Sequence, residues 1–482
     1  MVITWKTKAL QAIFEPKTIA IIGASDKPRK LGSLTLRALQ ASQFPGTIYL
    51  VHPTLKKLKD EPVYSRVQDI PDDIDLALIA VQNPHVPQVL TDCAEKAIHG
   101  AVIFSAGFKE LGLQGKALED EIARIANDAH IGIVGPNCLG VGNIPRHLNA
   151  TFFPYPTPIS PGKVSLVSQS GGVAGLMLYA AVDTQLGIAK FASIGNRVNL
   201  DFADFLQYFK DDPDTEVICL FIEGTEDARR LIDTAHQVTV AKPILAYKVG
   251  KTPVAQRATI SHTGSLAGRG ELYSSAFRQA GIQEVTGVSE LIDTAKAISI
   301  LPYLPHGKRV ACVTHTLGPT IIAAEILESH GIELPQPKPE TVRGIQQVMG
   351  LPIDLPIDNP IDLLALGWAR PEIFAKALRL TALSDQYDAF LTIFSPNFQE
   401  DIGGGTPTEG LLEVMQEVKK PIISVLNSPT SHPPPEKAIL EASGIPVFAS
   451  PERGAKALAN IISYSLTAKR VLQKQYPTGI SG

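Results

Sequence analysis

Over nearly its whole length the chain alternates short runs of β-branched and aliphatic residues with longer segments of helical periodicity. That rhythm restricts it to folds assembled from parallel βαβ units. Strands are expected at Thr18–Ile22, Ile48–Val51, Leu76–Val81, Ala101–Phe104 and Ile131–Val134, which make one doubly wound domain. After the proline-rich stretch Phe153–Pro161 the rhythm restarts with Val164–Val167, continues through Val217–Ile222 and Ile244–Tyr247, and ends in a helix near Ile300, as in a flavodoxin-like domain. A second break, Leu301–Lys308, precedes Val310–Thr314, Ala389–Phe394, Ile422–Leu426 and Pro446–Phe448, closed by a helix from Pro451 onward. The proline-dense loop Leu351–Pro360 separates the first two of these strands. The α/β halves share no short fixed period, so three consecutive domains are expected at 1–150, 151–302 and 303–482 rather than a repeat array.

Charge decides which ligands such a chain can attract. With 44 Lys and Arg against 48 Asp and Glu, a net charge of −4 gives no general pull toward nucleic acid or anionic lipid. Any anion must therefore be met by a local site. The four cysteines (Cys93, Cys138, Cys219, Cys312) form no C-x-x-C pair, which predicts a reduced, cytoplasmic protein without a zinc site. Residues Met1 to Pro16 lack the apolar core of a secretory signal, and no run approaches the roughly 18 apolar residues of a membrane span.

The first expected strand ends in Gly23-Ala24-Ser25-Asp26, followed by Pro28, Lys30 and Gly32 before a helix. A glycine at a strand end permits the tight turn, and unpaired N–H groups at the next helix start favour phosphate oxygens. A nucleotide-like ligand fits this pattern, but NAD does not. Ser25 stands where the dinucleotide fingerprint needs glycine, and the second strand ends in Val51-His52-Pro53 with no carboxylate for a ribose. The turns Ser105-Ala106-Gly107 and Gly135-Pro136-Asn137-Cys138-Leu139-Gly140 follow other strands of this domain and are expected to line the same crevice.

In the second domain, Ser168-Gln169-Ser170-Gly171-Gly172 carries a buried strand into a helix whose first N–H groups and dipole would face an anion. Ser261-His262-Thr263-Gly264-Ser265 surrounds a histidine with small residues and no apolar stripe, leaving room for a phosphoryl group. A neutral imidazole nitrogen accepts phosphoryl at neutral pH. Glu223, at the end of the apolar run Val217–Ile222, is the candidate carboxylate to fix its tautomer.

In their order these blocks resemble the ADP-forming acetyl-CoA synthetases among the nucleoside-diphosphate-forming acyl-CoA synthetases, relatives of succinyl-CoA synthetase. Gly195-Asn196, Asn359-Pro360-Ile361-Asp362-Leu363 and Ser450-Pro451-Glu452-Arg453 extend the likeness to the final helix. The resemblance implies a Rossmann-like CoA-binding domain followed by two flavodoxin-like ligase domains. CoA would be held by Gly23, Ala24, Ser25, Lys30, Ser105, Ala106, Gly107 and Asn137. His262 would be the phosphohistidine, supported by Glu223, with Ser168, Ser170, Gly171 and Gly172 at the phosphate and a helix end of the third domain adding to it. It implies interconversion of acyl-CoA, ADP and phosphate with acid, CoA and ATP, the acid being acetate or similarly small.

Nothing in the sequence matches an ATP-grasp unit, so the resemblance also implies an ATP-grasp β partner carrying ATP or ADP with Mg2+, in a heterotetramer of two α and two β chains. One departure stands out: the family's Asn-Ala-Gly-Gly run is replaced by Thr314-His315-Thr316-Leu317-Gly318-Pro319. A CoA-responsive binding protein that kept the fold without the chemistry is the competing reading, and an NAD-dependent oxidoreductase would fit the first domain only.

Overall fold

A computed structural model describes residues 4–58, 60–153, 158–263, 270–350, 355–396, 405–429, 431 and 433–475, without the side chains of 259–263, 270 and 474–475. The chain divides into two compact units, 1–291 and 292–482. Among the described residues no helix is long and apolar enough to cross a membrane.

The first unit contains two sheets. β1 (Thr18–Ile22), β2 (Thr47–Val51), β3 (Lys57–Leu58), β4 (Glu61–Tyr64), β5 (Leu76–Ile79), β6 (Gly100–Ile103) and β7 (Gly132–Val134) form the first. Its order is β3-β4-β2-β1-β5-β6-β7, and only the β3–β4 pair is antiparallel. Counting the parallel strands alone gives 3-2-1-4-5-6, the Rossmann order. β5 and β6 are buried along their full length, which is why they read as continuous apolar runs rather than alternating ones.

The second sheet comprises β8 (Gly140–Asn143), β9 (Leu148–Thr151), β10 (Pro161–Ser168), β11 (Ile188–Ser193), β12 (Val217–Ile222), β13 (Ile244–Lys248) and β14 (Gln283–Val285). In its order β14-β13-β12-β10-β11-β8-β9 the five parallel strands run 2-1-3-4-5, a flavodoxin-like winding. β8 and all but the last residue of β9 lie inside the 1–150 segment, yet β8 pairs antiparallel with β11 and so extends the second sheet. Their sequences, GVGN and LNAT, carry too few branched residues to be read as strands in advance.

One hydrophobic cluster runs through both sheets, from Leu10 and Val102 to Val141 and Leu220. The helix Trp5–Phe14 is its wedge. A Cβ at Gly100 would lie 2.8 Å from Ile13, and one at Gly132 would lie 2.5 Å from Ala9, so the glycines let this helix lie directly on β6 and β7. Its other side meets the helix Phe202–Asp211, where the Phe14 ring stacks on Tyr208 at 5.4 Å, and Lys6 Nζ donates to Asn199 O at 2.6 Å.

The second unit is built on β15 (Val310–Thr314), β16 (Ile361–Asp362), β17 (Ala389–Phe394), β18 (Ile422–Leu426) and β19 (Val447–Phe448). All pairs are parallel in the order β16-β15-β17-β18-β19, again 2-1-3-4-5. Two blocks that carried the resemblance have structural work here. Asn359 imitates a strand neighbour: its Nδ2 donates to Val310 O (2.8 Å) and its Oδ1 accepts from Cys312 N (3.0 Å). Arg453, in the helix Pro451–Gln475, grips Asp293 through two hydrogen bonds of 2.6 and 2.8 Å.

The tight turn after β1 yields a stability prediction. A Cβ at Gly32 would stand 2.1 Å from the Gly23 carbonyl oxygen, so Gly32→Ala must push the helix Leu31–Ala41 off the strand end. The expected loss is about 1–3 kcal/mol in urea denaturation, and an unchanged midpoint would contradict this contact.

Candidate active site

A cleft of about 950 Å³ opens at the carboxyl ends of β1, β2, β5 and β6. It brings together Gly23, Ala24, Ser25, Lys30, Ser105 and Ala106 of the expected ligand residues. The turn is not a simple backbone cradle for an anion, because the N–H groups of Gly23 and Ala24 both donate to Val51 O (3.0 and 3.1 Å). They close the turn instead, with Gly23 at φ +96. What remains for an anion is the amino end of the helix Leu31–Ala41, which no side chain caps, and the exposed cations Lys27, Arg29 and Lys30. Ser105 Oγ is buried and makes no hydrogen bond among the described residues, which leaves it able to bond a polar ligand. His52 also lines the cleft, its Nδ1 accepting from Thr54 N and Leu55 N, both at 3.2 Å.

Gly107 and Asn137 stand apart from this cleft. Gly107 (φ +107) donates to Glu110 Oε1 (2.6 Å) and accepts from Asn83 Nδ2 (2.7 Å). It shapes the turn from beneath. Asn137 donates its N–H to Ser105 O (2.9 Å) and lines a second cavity, of about 480 Å³, between the two sheets of the first unit.

That second cavity is bounded on one side by Gln169, Ser170, Gly171 and Gly172. Ser170 caps the helix Gly171–Thr184, its Oγ accepting from Val173 N at 3.3 Å, so the N–H groups of the first helical residues face outward. Ser168 is buried below the turn, donating to Ser170 O (2.7 Å), and is absent from the cavity wall. Cys138 is on the wall, but burial pushes its thiol up to about 12, which removes it as a nucleophile near neutrality.

Gln169 was not singled out by the sequence, yet it joins the two loops that matter. Its Oε1 accepts from Glu223 N (3.0 Å) and Gly224 N (3.1 Å), tying the Ser170 turn to the end of β12. Glu223 itself is buried. Lys248, at the end of β13, donates to Glu223 O (2.8 Å) and to Val249 O, and its ammonium lies 4.6 Å from the Tyr273 ring centroid. Burial pulls this lysine down to about 8. The only advance signal for either residue was a polar side chain beside an apolar strand.

A third loop is locked to these. Asn196 Nδ2 donates to Glu110 (2.7 Å) and Glu119 (2.8 Å), and Lys109 Nζ donates to Asn196 O (2.8 Å). Burial opposes ionisation of Glu110, but hydrogen bonds from Asn196 and from Gly107 N–H together hold its carboxyl below the ordinary value.

His262 falls in the last turn of the helix Pro253–Thr263, and its side chain lies outside the described residues, as do Gly264 and Ser265. The backbone of that helix runs beside the turn Lys109–Leu111, at the carboxyl edge of the first sheet. In the second unit the departure at 314–319 is accommodated by packing. His315 Nε2 accepts from Ser395 N (2.9 Å), the ring meets Phe374 edge-on at 6.1 Å, and burial lowers its pKa. His315 is thus a neutral tie between the ends of β15 and β17.

Lys248 supplies a pH test. Its folded value of about 8 lies below the ordinary 10.5, so between these values the unfolded chain holds more protons. Stability should therefore rise with pH through that window. Lys248→Met should lower stability by about 1–3 kcal/mol at pH 7, by stranding two carbonyls, and should lack this rise. Urea midpoints across pH 7–10.5 check both, and a wild-type slope of the opposite sign would contradict the burial argument.

Comparison with known proteins gives this geometry a lineage. The family model described as a CoA binding domain matches residues 17–143, and the one described as a succinyl-CoA ligase like flavodoxin domain matches 161–298. The chain is 36% identical over 456 residues to the alpha subunit of acetate–CoA ligase [ADP-forming] II of Pyrococcus furiosus, covering 93% of this chain and 96% of that one. It is 35% identical to acetate–CoA ligase [ADP-forming] I of Archaeoglobus fulgidus, covering 98% of this chain but 66% of that protein. A solved acetyl-coenzyme A synthetase 1 of Ca. Korarchaeum cryptofilum, titled as dinucleotide forming and in complex with phosphate and ADP, superposes with a TM-score of 0.84 at 31% identity, covering 98% of this chain and 100% of that chain. With both sheets of its first unit matched by these families and 93% of its length matched by an alpha subunit, the chain belongs to the family of ADP-forming acetate–CoA ligases.

Proposed function

We propose that the chain is the CoA-binding, phosphohistidine-carrying subunit of an acid–CoA ligase that couples a thioester to ADP phosphorylation. The observation that carries this reading is the cavity shared by Asn137, from the first sheet, and the Ser170 and Gly171 helix start, from the second. A thioester delivered along the first cleft and a phosphate held at a helix start would meet there.

The cycle follows from the groups available. A phosphate oxygen attacks the thioester carbonyl carbon, the C–S bond breaks, and CoA leaves with the proton given up by phosphate. His262, as the nucleophile, then forms an N–P bond while the carboxylate departs from phosphorus. Glu223 would stabilise the positive charge this leaves on the ring, and the N–H groups of Gly171 and Gly172 the charge on the transferring oxygens. Support for His262 as a carrier comes from its helix: residues 253–258 include no buried side chain, so little apolar contact anchors its first half.

ADP, with Mg2+, would be bound by a separate ATP-grasp subunit, in a heterotetramer of two copies of each chain. The third of the Archaeoglobus protein that this chain does not cover supports a missing component, as does the alpha-subunit naming of the Pyrococcus relative. The cytoplasm, where CoA and ADP are found together, is the expected compartment.

The test needs this chain alone. Incubated with acyl-CoA and radiolabelled phosphate, it should acquire an acid-labile, base-stable label that His262→Ala abolishes. Glu223→Gln should slow labelling by about 10²-fold or more. An unlabelled wild type would leave a CoA-binding protein without ligase chemistry.

A further inference from the structure

The loop after β12 that carries Glu223 is held by side chains distant in sequence. Gln169 takes the N–H groups of Glu223 and Gly224, and the Tyr273 hydroxyl, from the helix Gly270–Ala280, accepts from Thr225 N at 3.2 Å. Asp201 Oδ2 accepts from Thr225 Oγ1, also at 3.2 Å. The Glu223 carbonyl falls to Lys248 (2.8 Å), a buried residue whose ammonium also donates to Val249 O and lies against the Tyr273 ring. One ammonium therefore braces both ends of the segment from Glu223 to Thr225.

Bracing alone does not call for a lysine. A neutral amide can donate to carbonyls without the desolvation penalty that a buried ammonium carries. What only the ammonium supplies is charge, and the neighbouring groups respond to it. Burial pulls Lys248 down to about 8 and Lys251 pushes the same way, while the carboxylates of Glu223 and Glu284 act in the opposite direction. Lys251 is partly exposed and is ion-paired with Glu284 of β14 at 2.7 Å, which leaves Lys248 as the buried cation bonded to residue 223. The attraction is reciprocal, so the ammonium favours the ionised form of the Glu223 carboxyl. That form is the one phosphoryl transfer uses, because the ring gains positive charge on phosphorylation and a protonated carboxyl would not offset it.

We propose that Lys248 is a positioning residue of the ligase reaction, acting through Glu223: its ammonium fixes the Glu223 loop and keeps the Glu223 carboxylate charged, so that phosphoryl transfer to His262 requires Lys248 to carry its proton. The inference rests on the ligase reading above.

Labelling of the whole chain from acyl-CoA and radiolabelled phosphate, followed from pH 7 to 9.5, tests this through two quantities, the maximal rate and the half-saturating acyl-CoA concentration. The wild-type maximal rate should fall as pH rises through about 8. Above that pH the urea midpoint should rise, so a falling rate there is not lost structure. Lys248→Gln keeps a donor for the Glu223 carbonyl but not the charge. It should lower the maximal rate at pH 7 at least about 10-fold, leave half-saturation within about 2-fold, and lack the alkaline fall. Lys248→Arg, which stays protonated throughout, should label faster than Lys248→Gln and also lack the fall. In a Glu223→Gln background, Lys248→Gln should cost less than about a further 3-fold, because its route of action is already gone. Lys248→Gln labelling at the wild-type rate, or an alkaline fall that persists in it, would overturn the proposal and leave the ligase reading intact. So would a labelled wild type whose rate is level from pH 7 to 9.5, a result that needs no variant to fold. Absence of label from the wild type at every pH would instead sink the ligase reading, and this proposal with it.

Discussion

A parallel sheet sends every strand's carboxyl end, and the amino end of every following helix, to one edge. That edge concentrates unpaired N–H groups and positive helix dipole ends without requiring any net positive charge. Everything proposed for this chain depends on it, since a protein with four more acidic than basic residues has no broad field to gather phosphates. The first unit sets two such edges against each other. The half-buried helix Trp5–Phe14 joins their cores, and backbone hydrogen bonds sew the rims: Asn196 N to Pro136 O at 3.0 Å, and Val198 N to Gly135 O at 3.2 Å. A ligand spanning the two edges therefore meets groups whose separation is set by packing.

The site's supporting residues share one logic. Gln169, Lys248 and Asn196 each direct side-chain hydrogen bonds at a neighbouring loop, two of them at backbone groups of residues 223 and 224 and one at the carboxylates of Glu110 and Glu119. Loops carry unpaired backbone polarity, and burying them is affordable only when such partners exist. The same bonds hold the Ser170 turn, the Glu223 loop and the Lys109–Leu111 turn in register, which is the preorganisation that phosphoryl transfer needs.

Much of this was legible in the sequence, and the exceptions are instructive. Strands buried on both faces, such as β12 with VICLFI, declare themselves, because burial requires an unbroken apolar run. β8 and β9 did not, because short strands joined antiparallel at one end of a sheet tolerate glycine and asparagine. At the site, glycine-bearing turns marked where the cleft and the cavity open, but sequence could not separate residues that line them from those that build the turn. Gly23 and Ala24 spend their N–H groups on Val51, and Ser168 spends its hydroxyl on Ser170. Gln169 and Lys248 were invisible for a related reason: their partners are backbone atoms distant in sequence, and no residue type advertises those.

The contrast between two neighbouring helices bears on how a phosphoryl group could leave the site. The helix Ala228–Val238 buries Leu231, Ala235 and Val238 against the shared core, and each large apolar side chain so placed contributes about 1.5–3 kcal/mol. The helix Pro253–Thr263 has no such anchor among residues 253–258, and Val254 is 68% exposed. Displacing the first therefore means opening a core, whereas displacing the first half of the second exposes little new apolar surface. Among ordinary packed helices that would be a weakness. For a segment proposed to carry a phosphorylated imidazole from an acyl phosphate to a nucleotide held elsewhere, weak anchoring is the property that would let transfer occur without unfolding the sheet beneath it.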